Sequence, residues 1–229
     1  MFRYEVSNGT VEILGRSASN TVAEVTIPEC IDGYPVISIG ASAFANDDTL
    51  ECIKIPSTIC NIKDCAFFAC VNLKKVIFYE ATAFPAFRQS IWLYRRCFMD
   101  CEKLEEIHTE TSRCFDILTD ETRCFCNCKN LKTINLPFAW CIPGYTFHHC
   151  AQLNEVTFFQ ERHSNAVEFS STALIGCNCL KDITILGNLS GFNGPKTVKR
   201  LKGMHIKCLS GTNVAQWKNE GANIQIISR

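Results

Sequence analysis

Apolar residues recur along this chain in one repeated order: a small residue, then Phe, then Cys three positions on, then Leu three further. The copies are Ala43-Phe44 with Leu50, Ala66-Phe67 with Cys70 and Leu73, and Cys97-Phe98 with Cys101 and Leu104. Cys124-Phe125 with Cys128 and Leu131, Thr146-Phe147 with Cys150 and Leu153, and Ala173-Leu174 with Cys177 and Leu180 complete the series. The first aromatic or leucine stands six residues before the last Leu in every copy, while the copies recur at 23, 31, 27, 22 and 27 residues. Past each Leu the chain alternates, as in Ile53/Ile55, Val76/Phe78, Ile134/Leu136 and Ile183/Ile185, the period of a half-buried strand. Val22-Val25-Ile27 precedes the series in the same phase and Leu201-Met204-Ile206 follows it, which predicts eight strands. A second alternating pair lies seven and five residues before each Phe: Ile37/Ile39, Cys60/Ile62, Ile91/Leu93, Leu118/Asp120, Trp140/Ile142 and Val167/Phe169. Eleven of these twelve are apolar, and Asp120 is the exception. The Phe-to-Leu stretch, with Phe and Cys three apart, suits a helical turn.

Each unit has an inward face that only stacking on its neighbours can bury. Parallel strands about 4.8 Å apart set equivalent residues in columns, so the expected architecture is an α/β repeat solenoid, right-handed, mostly β with short helical turns. A single domain over 1–229 is expected: an N-terminal cap over 1–21, repeats over 22–206 and a C-terminal cap over 207–229. Asn8-Gly9 between the alternating runs Phe2-Tyr4-Val6 and Val11-Ile13 predicts a hairpin. Thr212 to Glu220 reads as a short capping helix, with Thr212 at its start and Gly221 at its stop, followed by a strand at Ile224-Gln225-Ile226.

These residues resemble the BspA-like branch of leucine-rich-repeat proteins. The resemblance is carried by Asp32-Gly33-Tyr34-Pro35-Val36-Ile37-Ser38-Ile39-Gly40, Ala43-Phe44 and Leu50-x-x-Ile53-x-Ile55-Pro56, and by the closing Ser210-Gly211-Thr212 through Trp217. It covers nearly the whole chain and implies the repeat solenoid fold, with adhesins or interaction surfaces at the cell surface or outside the cell.

Composition narrows the classes. The 229 residues are 47% hydrophobic, with mean hydropathy +0.03, and 23 Lys+Arg balance 23 Asp+Glu. Zero net charge argues against a nucleic-acid footprint, which needs clustered excess Lys and Arg. No apolar run approaches the roughly 18 residues of a membrane span. Met1-Phe2-Arg3-Tyr4-Glu5-Val6 has no apolar signal-peptide core. Together with sixteen cysteines, this leads us to expect a cytoplasmic, reducing setting.

The cysteines are the first candidates for chemistry. Cys70, Cys101, Cys128, Cys150 and Cys177 fall in one column beside the column of Phe44, Phe67, Phe98, Phe125 and Phe147. They read as small buried packing residues, although column spacing lies within disulfide reach. Cys126 beside His148 is the alternative, a metal-binding pair, but its spacing lacks the C-x-x-C knuckle of structural zinc. No nucleotide-binding, zinc-protease or nucleophile-elbow motif occurs. We therefore expect no catalytic residues, no metal and no cofactor.

Interaction with another protein is the expected function, by a monomer. One candidate surface is the outward row of the main strands: Lys54, Ile77, His108, Asn135, Thr157, Thr184 and His205. Beside it, Glu51-Lys74-Glu105-Lys132 alternates in sign from strand to strand. The other surface is the edge where insertions fall. Tyr79–Ser90 and Glu110–Ile117 are expected side by side, bringing Phe84, Pro85, Phe87, Arg88, Arg113 and Phe115 together, the composition of interface anchors.

Overall fold

The computed structural model describes residues 2–17, 21–84, 90–109, 114–117, 122–137, 141–159, 167–170, 172–186, 189–190, 204–212, 214–215 and 223–227. Strands β1 to β19 are numbered along the chain. The alternating blocks after each Leu form the main parallel strands: β3 (Glu24–Thr26), β6 (Cys52–Pro56), β8 (Lys75–Tyr79) and β10 (Glu106–Thr109), then β12 (Thr133–Pro137), β14 (Glu155–Phe159), β16 (Asp182–Leu186) and β18 (His205–Leu209). These are the eight expected strands. Their pairing sets Val25, Ile53, Val76 and Ile107 in one row, and Ile134, Val156, Ile183 and Ile206 in another. β10 and β12 lie in separate sheets, and between their coils the Lys132 N–H donates to the Glu105 carbonyl at 3.3 Å.

The last repeat departs from its predicted phase. Ile206 pairs with Ile183 and Cys208 with Ile185, two residues on from the spacing read off Leu201. His205 therefore lies opposite Asp182, and Lys207 takes the outward position beside Thr184. The expected strand at Ile224 is β19 (Asn223–Ile227), parallel to β18.

The second pairs form a second set of strands. The first group is β5 (Tyr34–Ile39), β7 (Asn61–Ile62), β9 (Ser90–Leu93) and β11 (Cys114–Ile117), with β13 (Cys141–Ile142), β15 (Val167–Phe169) and β17 (Leu189–Ser190) beyond. One assignment changes. In β11, Phe115 pairs with Ile91 and Ile117 with Leu93, so Phe115/Ile117, and not Leu118/Asp120, is the second-strand pair of that coil. The chain there reaches its second strand early, and the extra residues 118–121 follow it. Burial explains the choice: Phe115 and Ile117 are each 3% exposed, whereas Asp120 at the same depth would need a buried partner.

The stretch around each Phe is a turn of alternating hand and not a helix; no α-helix occurs among the described residues. The residues two before and two after Phe have positive φ: Ser42 and Asn46, Cys65 and Ala69, Arg96 and Asp100, Arg123 and Asn127, Tyr145 and His149. Every second N–H consequently points along the stack. Those of Ser42, Phe44 and Asn46 donate to the carbonyls of Asp64, Ala66 and Phe68 at 2.8–2.9 Å, and those of Cys65, Phe67 and Ala69 to Arg95, Cys97 and Met99. The intervening N–H groups close three-residue turns within the coil, as Ala43 to Gly40 and Ala45 to Ser42. The turn is thus a third ladder beside the two sheets.

Between the ladders lies one continuous core. Phe44, Phe67, Phe98, Phe125 and Phe147 stack with centroids 4.9–5.6 Å apart and planes within 9° of parallel. Beside them all five column cysteines are buried. The N-terminal end is closed by the predicted hairpin of β1 (Phe2–Ser7) and β2 (Thr10–Arg16). Asn8 at φ 51° and Gly9 at φ 73° make the turn whose twist suits a two-residue hairpin. Phe2 meets Phe44 edge-on at 6.5 Å, and β2 pairs in parallel with β5. A smaller hairpin joins β4 (Cys30–Ile31) to β5. At the other end Val214 and Ala215 form a single 3₁₀ turn, and the Thr212 hydroxyl donates to the Leu209 carbonyl. Most of the expected helix over 212–220 lies outside the described residues.

Candidate functional site

The interior columns are packed side by side in the core. The fourteen cysteines whose side chains are described are free. Burial, followed by the thiols of neighbouring coils, pushes Cys97, Cys101 and Cys128 well above the ordinary thiol range. A thiol held protonated is a poor nucleophile and a poor metal ligand. Cys126 and His148 do meet, Sγ to Nδ1 at 3.8 Å. Burial raises the Cys126 thiol to about 11, while burial and the nearby His149 and Arg123 lower His148. The pair is therefore a neutral thiol beside a neutral imidazole. Among the described residues no three His, Cys, Asp or Glu side chains converge as a metal would require.

The outward row of the main strands is built as expected in its first half, where Lys54, Ile77 and His108 lie in direct register. The sign-alternating row beside it forms real ion pairs. Lys74 meets Glu51 at 2.7 Å and Lys132 meets Glu105 at 2.8 Å, and Lys129 with Glu102 at 2.6 Å adds a parallel row. The Lys74 ammonium holds the Glu51 carboxyl below its ordinary value, and that of Lys132 does the same for Glu105. All these side chains are about half exposed, so water screens each pair and its contribution to stability is small. His108 lies 3.9 Å from the Glu106 carboxylate on its own strand.

At the insertion edge the sequence reading separates into parts. Phe115, expected in a loop, is in β11 with its ring against Phe78 at 4.9 Å and 68°, so it is core and not an anchor. Phe87, Arg88 and Arg113 lie outside the described residues. Phe84 is half-buried at the start of the longest connection, and the root of that connection is firmly built. The Thr82 and Ala83 N–H groups donate to the Glu29 carboxylate at 3.0 and 2.6 Å, which holds that carboxyl below its ordinary value. Ser57 Oγ accepts from the Ala81 N–H at 2.9 Å and donates to Glu80 at 3.0 Å. The Tyr79 hydroxyl donates to the Ile27 carbonyl at 2.9 Å; burial and the nearby Glu29 charge push its pKa up to about 12. Two coils thus grip one loop.

A second outward row is absent from the sequence reading. The middle residues of the second strands align as Glu5, Glu12, Ser38, Asn61, Trp92 and Asp116 along the opposite face. The signal for it was the residue between each alternating apolar pair, as Ser38 between Ile37 and Ile39.

The same architecture occurs in solved structures. The crystal structure of a T. pallidum leucine-rich-repeat protein matches with a TM-score of 0.66 at 18% identity, covering 99% of this chain and 95% of that one. That of a leucine-rich cell surface protein from Faecalibacterium prausnitzii matches with a TM-score of 0.55 at 16% identity, over 99% of this chain and 70% of the other. No curated protein matches the chain, and no helix among the described residues is long and apolar enough to cross a membrane. The family model of the BspA type leucine rich repeat region matches in six copies, over residues 18–117 and 89–195. With its stacked Phe and Cys columns, this chain belongs to the BspA-type leucine-rich-repeat family.

Proposed function

We propose that this chain is a non-enzymatic binding module that recognises another protein through its insertion edge, Phe84, Phe87, Arg88 and Arg113, flanked by Ile77 and His108. The observation that carries the reading is the root of the longest connection. Glu29 and Ser57, from two other coils, accept from the N–H groups of residues 81–83, and the Tyr79 hydroxyl donates back to the Ile27 carbonyl. A segment held in one conformation loses less entropy on binding, and the half-buried Phe84 next to it is a fitting anchor. Free cysteines throughout the described core favour a reducing, cytoplasmic setting.

The test is affinity capture from the source organism's extract with the wild type and the Phe84→Ala/Phe87→Ala double variant as bait. The double variant should lose the captured protein while its thermal midpoint stays within about 1 °C, an interval smaller than the roughly 2–4 °C expected for about 1 kcal/mol in a chain of this length. Capture that persists while the midpoint falls would assign both rings to covering the core.

A further inference from the structure

The outer face of the second strands contains a cleft whose chemistry nothing above uses. It has a volume of about 320 Å³ and lies between the N-terminal hairpin and β7, lined by Glu5, Glu12, Val11, Ile37, Ser38 and Lys63 among others. It exists because of a bulge. Val11 pairs with Val36 but Glu12 pairs with Ser38, so Ile37 is one residue too many on β5. Bulges re-aim side chains next to sites, and here Ile37, predicted as core, is only partly buried and lines the cleft.

Two features point to a cationic ligand. Glu5 and Glu12 lie directly opposite each other in the hairpin, an arrangement that destabilises a strand pair. Lys63 answers Glu12 at 2.5 Å, whereas Glu5 has no counter-ion among the described residues. The second feature is independent of the carboxylates. Ser38 is 4% exposed, lines the cleft, and its Oγ has no hydrogen-bond partner. A buried hydroxyl left unpaired needs an explanation, and a donor arriving from the cleft supplies one.

We propose that this cleft takes the side chain of a lysine presented by a partner protein. An ammonium carries three donors, and the cleft offers three acceptors: the Glu5 carboxylate, the Glu12 carboxylate and Ser38 Oγ. A carboxylate has lone pairs for more than one donor, so Glu12 serves Lys63 and the incoming ammonium together. The apolar side chains of Val11 and Ile37 receive the aliphatic stem, as long cationic side chains prefer. The proposal rests on the reading of the chain as an interaction module but not on the edge loop.

The experiment titrates the full chain with the peptide acetyl-Gly-Lys-Gly-amide, followed by NMR shifts and calorimetry. The norleucine peptide, which keeps the stem and lacks the charge, is the control. The lysine peptide should bind saturably and at least about tenfold more tightly than the norleucine peptide, the order of one charge-assisted contact. Glu5→Gln should weaken it about tenfold while the thermal midpoint holds or rises, because the substitution removes a like-charge pair. Lys63→Gln should tighten it severalfold by removing a like charge beside the incoming ammonium. The Phe84→Ala/Phe87→Ala variant should bind the peptide normally, which separates this site from the edge. Equal binding of the norleucine peptide, or unchanged affinity in both Glu5→Gln and Ser38→Ala, would overturn the proposal. So would saturable binding of methyl glucoside in place of the lysine peptide, which would assign the cleft to neutral polyols.

Discussion

Cysteine recurs in one column because its thiol does what no other small apolar side chain can do there. Each Phe carbonyl accepts one backbone N–H within its own coil, as Phe67 from Cys70 at 3.3 Å, and the column thiol of the next coil supplies a second donor. Cys70 Sγ donates to Phe44 at 3.0 Å, Cys101 to Phe67, Cys128 to Phe98, Cys150 to Phe125 and Cys177 to Phe147, all within 3.1 Å. The contact is weak, but it serves the second lone pair of a carbonyl buried away from water. The aromatic ring beside it carries more. Phe98 is sandwiched between Phe67 at 4.9 Å and Phe125 at 5.5 Å. Phe98→Ala should therefore destabilise the chain by about 3–5 kcal/mol. Phe98→Leu should cost under about 1.5 kcal/mol, since Leu174 already fills that column at one end. Urea unfolding of both variants would separate volume from stacking; equal losses would show that the aromatic stack, and not the volume it fills, carries the stability.

The turn around each Phe shows what one-dimensional spacing conveys and what it omits. Phe and Cys three apart read as a helical face, and both are indeed on one side; the hand of the intervening residues was not visible. Ala69 and Arg96 carry no mark of a left-handed backbone, and only Asn46, Asp100, Asn127 and Gly176 are residues that tolerate it well. What selects the conformation is the adjoining coil, whose carbonyls await every second N–H. Ala69, at φ 55°, is held there against a steric cost of about 1–2 kcal/mol. Ala69→Gly removes that cost and adds about 0.5–1 kcal/mol of unfolded-state entropy. It should leave the chain about 0.5–1 kcal/mol more stable by the same denaturant measurement. An Ala69→Gly variant less stable than the parent would mean that its methyl contact outweighs the backbone term. The strands were legible because period two survives in any sheet, and the eight main strands follow it. The miss at Phe115 came from carrying a fixed distance backwards from Phe125 through an insertion on the wrong side of the second strand. Asp120, the polar exception in that series, was the warning. The face carrying Glu5, Ser38 and Asn61 went unread because a search for apolar repeats discards the residues between them.

At the scale of the whole molecule each coil packs mainly on its two neighbours, so the ends are where stacking energy is halved. The N-terminal end relies on a polar latch. The Arg16 side chain, 6% exposed, reaches from β2 into the first coil, where it pairs with Asp47 and donates to Thr49 Oγ1 at 2.5 Å. Asp47 also accepts from the Thr49 and Leu50 N–H groups at 3.1 and 3.2 Å. Burial pushes the Asp47 carboxyl upward, but the hydrogen bonds of Arg16 and Thr49 and the Arg16 charge outweigh it, leaving the carboxyl below its ordinary value. A carboxyl depressed in the folded state binds its proton more readily when unfolded. Its contribution is thus complete above the ordinary Asp value of about 4 and is lost as the pH falls through the depressed folded value. Asp47→Asn, which leaves the largely buried guanidinium without a counter-ion, should cost about 3 kcal/mol at pH 7. Because the latch joins a cap to one coil, the loss should appear as early melting of the hairpin. Hydrogen exchange at Val11 and Ile13 should accelerate well before exchange at Val156 and Ile183 changes. Acidification should narrow the gap between wild type and variant, since protonated Asp47 can no longer serve as an anion. A gap that stays constant from pH 7 to pH 3 would show that Asp47 acts through its neutral hydrogen bonds alone, with the cap held by the packing of Phe2 on Phe44.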